Sequence, residues 1–112
     1  MIRIIETGCV ISRCPLYADS FFQRLTGMLT RKFSDTLDCI VFRSCNAVHT
    51  FGMRFDIDVL FVTQDNRIAA TYPKVKPWKT CGIKCRRATA VELPAGSIDK
   101  YSISVGDFVE FN

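Results

Sequence analysis

The chain lacks most of the signals by which small proteins announce a chemistry. It has one histidine and one tryptophan among 112 residues. No apolar run approaches the ~20 residues that span a bilayer, and the N-terminal Met-Ile-Arg-Ile-Ile-Glu is too short and too polar for a signal peptide. A cytoplasmic location is the expectation that follows. Six cysteines stand at 9, 14, 39, 45, 81 and 85, with four, five and three residues inside the successive pairs. No Cys-x-x-Cys occurs, so the zinc-knuckle spacings are missing and no metal site or cofactor is expected. In a reducing compartment such thiols serve as small hydrophobic fillers.

What is present is a globular composition: 48% hydrophobic, 23% charged, with nine phenylalanines. That is enough for a single domain over residues 1–112 burying roughly two thirds of its unfolded surface. The net charge of +4 is local. Residues 74–87 hold Lys74, Lys76, Lys79, Lys84, Arg86 and Arg87 without one acidic residue, so the other 98 positions sum to −2. A segment of this kind meets phosphate, an acidic partner or an anionic surface when it is not merely a solvated loop. Only Trp78 accompanies the charges, which argues against nucleic acid, because single-strand binding needs several interleaved stacking residues.

The richest stretch runs from Cys45 to Val62. Phe51, Met53, Phe55, Ile57, Val59 and Phe61 alternate with Thr50, Arg54, Asp56 and Asp58, the period-two pattern of extended chain. Leu60 and Val62 then make both faces apolar, as in a strand entering a sheet interior. Gly52 predicts two pieces, about 47–53 and 57–63, joined by a bend near Arg54 to Asp56. Phe51 and Met53 are expected in the core. In a straight strand His49 and Asp58 face opposite ways, so any convergence depends on that bend.

Elsewhere, residues 2–6 and 9–12 read as a strand interrupted at Gly8. Leu16 to Leu25 reads as an amphipathic helix closed by Gly27, with Arg24 near its carbonyl end and Met28 and Leu29 entering the core. Cys39–Phe42 is a short buried strand. Gln64-Asp-Asn predicts a hairpin turn into a strand over 67–72 that Pro73 ends, followed by a long basic loop. Residues 88–93 alternate, with Thr89, Val91 and Leu93 on one face and Ala88, Ala90 and Glu92 on the other. Ser97 is the expected N-cap of a short helical turn to Tyr101. Gly106-Asp107 turns into a last strand, 108–111. The fold class is therefore mainly β (α+β), a compact β-barrel or sandwich of about six or seven strands with one or two short helices.

At His49-Thr-Phe-Gly-Met53, Ile57-Asp-Val-Leu-Phe61, Pro77-Trp78, Val91-Glu-Leu-Pro-Ala-Gly96 and Gly106-Asp107, with Arg24-Leu25 and Gly27-Met-Leu29 earlier, the chain resembles the prokaryotic family called domain of unknown function 192. Asp56 stands where that family commonly has proline, which loosens the bend. The resemblance implies a mostly β barrel-like or sandwich fold and no established activity. Relatives with the His-Thr-Phe-Gly-Met form resemble proteins encoded near pilus-assembly and secretion genes.

Three functional readings remain open. In the first, a cleft formed by His49, Arg54, Asp58 and Glu92 under the Trp78 loop holds a polar small molecule, peptide or glycan. In the second, the basic loop and short edge strands dock a protein partner in a secretion or pilus-assembly complex. In the third, a hydrolase-like enzyme uses His49 as acid or base, Asp58 or Glu92 to orient it, and Cys45 or Cys81 as nucleophile. All three turn on whether His49, Asp58 and Glu92 share one concavity.

Overall fold

The computed structural model describes residues 1–18 and 33–112. Its strands are β1 (Ile2–Ile4), β2 (Val10–Ser12), β3 (Pro15–Tyr17), β4 (Cys39–Phe42), β5 (Ala47–His49), β6 (Ile57–Val62), β7 (Ile68–Val75), β8 (Thr80–Gly82), β9 (Thr89–Pro94) and β10 (Val109–Phe111), with one short described helix, α1 (Ser97–Lys100). They form a five-stranded sheet in the order β3-β4-β9-β6-β7, a three-stranded sheet β10-β1-β2 and a two-stranded ribbon β5-β8. The mainly β expectation holds, as stacked sheets in a sandwich rather than a closed barrel. More strands appear than the sequence pattern announces, because several span only three residues and are too short to show a period.

The period-two pattern builds two cores, one on each face of the five-stranded sheet. On one face Leu60 and Val62 of β6, Val91 and Leu93 of β9, and Cys39 and Val41 of β4 pack with Ile2, Ile4, Ile11 and Val109 of the three-stranded sheet and Ile98 of α1. On the other, Ile57, Val59 and Phe61, Ala90, and Ile40 and Phe42 pack with Met53 and, from the ribbon, the half-buried Val48 and Cys81. All six residues of β6 are buried. Fully burying an aliphatic or phenyl side chain contributes roughly 1.5–3 kcal/mol, so β6, which serves both cores, anchors the fold.

Several local expectations are corrected. Gly8, at φ 72°, reverses the chain, so residues 2–12 are an antiparallel β1–β2 hairpin and not one interrupted strand. Leu16 and Tyr17 lie in β3, parallel to β4, where a helix start was expected; the remainder of that helix, with Arg24, Gly27, Met28 and Leu29, falls outside the described residues. Pro73 does not end β7. The pairing shifts there, Ile57 facing Val75 but Val59 facing Tyr72, so Pro73 and Lys74 form a bulge opposite Asp58 that tolerates the missing N–H. The basic loop contains β8, which pairs with β5. The α1 N-cap is Gly96 at φ 92°, and Ser97, one residue inside, donates its hydroxyl to Pro94 O at 2.6 Å. Glycine takes this left-handed conformation without the Cβ penalty.

Candidate functional site

The five residues marked by the sequence do not converge. Asp58 and Glu92 lie on opposite faces of the central sheet, and His49 lies outside both.

Asp58 is fully buried and its carboxylate is committed to backbone. Oδ1 accepts the N–H of Lys74 (2.8 Å) and of Gly96 (3.1 Å), and Oδ2 accepts that of Ile98 (2.7 Å). It satisfies the β7 bulge and the opening turn of α1, donors that have no ladder partners of their own. The bend before β6 is present, yet it does not turn His49 toward Asp58.

Glu92 points to the opposite face, between Ile40 of β4 and Val59 of β6 in register. It is 2% exposed and its Oε2 has no hydrogen-bond partner among the described residues. Burial pushes the carboxyl up to about 8, so it holds its proton at neutral pH. Burial, followed by the charges of Glu92 and Cys45, also raises the Cys81 thiol to about 11, and the thiol of Cys45 donates to Ala47 O at 3.0 Å. The Cys81 thiol is thus shifted away from the thiolate that an activated nucleophile needs, and among the described residues no hydrogen bond joins His49 to either thiol.

His49 closes β5 on the exposed side of the ribbon. Residues directly opposite in a sheet share a face, so the pairs Ala47–Gly82 and His49–Thr80 point outward while Val48 and Cys81 point into the core. The ring Nδ1 of His49 accepts the Phe51 N–H at 3.3 Å, and no hydrogen bond joins it to either carboxylate among the described residues. The acid–base arrangement of the enzyme reading is therefore not assembled.

What His49 does join is an aromatic row. Its ring lies 4.9 Å from Phe51 at 33°, and Phe51 lies 5.8 Å from Trp78 at 24°. Phe51 is 44% exposed and Trp78 69% exposed, so Phe51 belongs to the surface and not to the core. Two adjacent loop tips present these rings, and Thr50, fully buried, ties them together. Its N–H donates to Lys79 O (2.9 Å), its hydroxyl donates to Lys76 O (2.6 Å) and accepts the Lys79 N–H (2.9 Å), and its carbonyl accepts the N–H groups of Trp78 and Met53 (both 3.1 Å). Trp78 is held at φ 66°, a conformation that a bulky residue keeps only when its surroundings impose it. Arg54 is exposed three residues beyond Phe51, and Lys76 sits 3.7 Å from Asp56. The alternation placed Phe51 in the core and gave Thr50 no role; the Gly52 turn beside Phe51 was the signal, since turn residues leave the alternation of the strand.

The family model described as "Uncharacterized ACR", domain of unknown function 192, matches residues 13–111. A UPF0127 protein of Pyrococcus furiosus is 33% identical over 99 residues, covering 86% of this chain and 84% of that protein. The chain belongs to the domain of unknown function 192 family. Among solved structures, a candidate transcription regulator from Sinorhizobium meliloti superposes with a TM-score of 0.81 at 20% identity, covering 97% of this chain and 90% of the other. A protein of unknown function from Novosphingobium aromaticivorans gives 0.78 at 16% identity, covering 98% and 83%. At such identities the likeness is one of fold. No helix among the described residues is long and apolar enough to cross a membrane.

Proposed function

We propose that this protein is a small binding module that takes a polar small molecule, peptide or glycan on the exposed His49–Phe51–Trp78 row. The supporting observation is the fixed presentation of the two large rings: exposed apolar aromatics are costly to leave bare, and here buried Thr50 holds them rigid at the surface. Rigid aromatic side chains give large contact area at little cost in entropy, which is why they act as anchors in recognition. Arg54 and Lys79, both exposed, stand three residues from Phe51 and one from Trp78 in sequence and supply charge for the polar parts of a ligand. Asp58 supports the platform from within by holding the β7 bulge that leads to Trp78. Glu92 stays beneath the ribbon, a buried neutral acid that needs no contact with ligand.

The test is a ligand-stabilisation screen run on the wild type and on Trp78→Ala and Phe51→Ala. Both substitutions remove exposed side chains, so thermal midpoints should stay within about 3 °C of wild type, and ligand-induced shifts should vanish. Collapse of the fold in both variants, or shifts that persist without either ring, would make the row structural and end this reading.

A further inference from the structure

The aromatic row is one end of a longer surface. From the pair His49–Thr80 the ribbon runs through Val48–Cys81 to Ala47–Gly82, and the ladder continues where Ile83 N–H donates to Asn46 O at 2.9 Å. Its outward side chains beyond His49 are Thr80 and Ala47, both small, and Gly82 has none. Gly82 is required: a Cβ there would stand 2.7 Å from Asn46 O. Past the far end lie Lys84, Arg86 and Arg87, all exposed. The ion pairs among the described residues are Arg3–Glu110 and Lys76–Asp56, so these three cations have no acidic partner there. At ~3.4 Å per residue β8 spans roughly 7 Å from Thr80 to Gly82, and Lys84 follows two residues later at a bend. The ribbon thus carries stacking rings at one end and a flat floor of small residues, and the chain that leaves its other end carries three exposed cations within four residues.

We infer that this track binds an acidic glycan, a short saccharide chain carrying carboxylate or sulfate groups. The inference rests on the binding role proposed above and names its ligand class. Two features select a glycan over an acidic peptide. The backbone N–H and C=O groups of a ribbon point sideways within the sheet, so its face offers an extended peptide no partners for its own backbone, whereas strand addition needs an edge. A sugar ring asks for less: its C–H face lies on Trp78 or Phe51 while its hydroxyls remain in water. The cations then account for the negative charge, through charge-assisted bonds that Arg86 and Arg87 can make to carboxylate or sulfate in forked geometry.

The experiment titrates the full chain with tetragalacturonate and with neutral maltotetraose, by calorimetry and by quenching of Trp78, the only tryptophan. Tetragalacturonate should bind at least tenfold more tightly than maltotetraose and should weaken with added salt. The triple variant Lys84→Gln, Arg86→Gln, Arg87→Gln should remove most of that preference, and Trp78→Ala should weaken both saccharides at least tenfold. Equal binding of the two saccharides, with loss of both in Trp78→Ala, would overturn the acidic class and leave the aromatic site standing. Tetragalacturonate binding that ignores Trp78→Ala would overturn both. Binding of oligoglutamate in place of either saccharide would overturn the glycan and leave a peptide site. Binding of none of the three would overturn the inference, and the broader ligand screen would then decide the aromatic site by itself.

Discussion

Asp58 Oδ2 accepts the Ile98 N–H at 2.7 Å, joining β6 to the first turn of α1 across forty residues of sequence. The same carboxylate also takes the N–H groups of Gly96 and Lys74, so one side chain satisfies three backbone donors from two separate segments. An aspartate that the sequence offers as a ligand contact is a joint of the framework.

Replacing it is therefore a stability experiment. Asp58→Ala leaves those donors without their acceptor in a buried place and should cost about 3–5 kcal/mol, since each unsatisfied buried group costs roughly 1–3 kcal/mol and some relaxation is possible. Urea unfolding should show the midpoint falling accordingly. Asp58→Asn, which keeps one acceptor oxygen, should fall between alanine and wild type.

Glu92 makes stability depend on pH in the direction opposite to that of a paired carboxylate. Burial raises its pKa in the folded chain from 4.5 to about 8. The folded state keeps a proton that the unfolded state releases, so this contribution is whole below about pH 4.5 and is lost as pH rises through 8. Glu92→Gln removes the dependence. Unfolding measured from pH 5 to 9 should show the wild type losing stability relative to Glu92→Gln by an amount on the order of several kcal/mol at the alkaline end. Parallel curves for the two proteins would show that the carboxyl is not held neutral.

Thr50→Val keeps the shape of the side chain and removes the hydroxyl bonds to the Lys76 carbonyl and the Lys79 N–H. The expected cost is about 1–3 kcal/mol. The more specific outcome is local. With the loops untied, Trp78 should become more accessible to acrylamide and its emission should shift further to the red.

Gly82→Ala places a methyl group against Asn46 O and Ala47, so the ribbon must part from its own ladder. A loss of about 1–3 kcal/mol is expected from overpacking. Cys45 and Cys81, now half-buried beside or beneath the ribbon, should react faster with a thiol reagent while Cys39, fully buried in the central sheet, stays protected.

The legible part of this fold is the part governed by alternation. In 88–93 and 57–62 the apolar pattern assigned residues to sheet faces, and the cores follow it, with Leu60, Val62, Val91 and Leu93 in one and Ile57, Val59, Phe61 and Ala90 in the other. Gly52 marked a break in the central segment, although the first piece ends at His49 and not near Met53. The short strands β3 and β8 were not legible, because three residues carry no period and their place is set by partners distant in the chain. The grouping of the candidate residues was legible only in part. His49 and Trp78 fall in one exposed aromatic row, but Asp58 and Glu92 were grouped with them by their chemistry, when the parity of β6 and β9 sends those two to opposite sides of one sheet. Phe51 was misplaced for the converse reason: the alternation was extended through a turn in which it no longer applies.

The pairing of β1 with β10 also has a consequence for how the chain is made. Ile2, Arg3 and Ile4 find their strand partners at Phe111, Glu110 and Val109. During synthesis Ile2 and Ile4 emerge about a hundred residues before Val109 and Phe111, and that side of β1 has no neighbour until those residues have cleared the ribosome. Closing so distant a contact is slow and leaves an apolar edge open meanwhile. Truncation or stalling before Val109 should therefore yield chains prone to aggregate, however well their central sheet has formed.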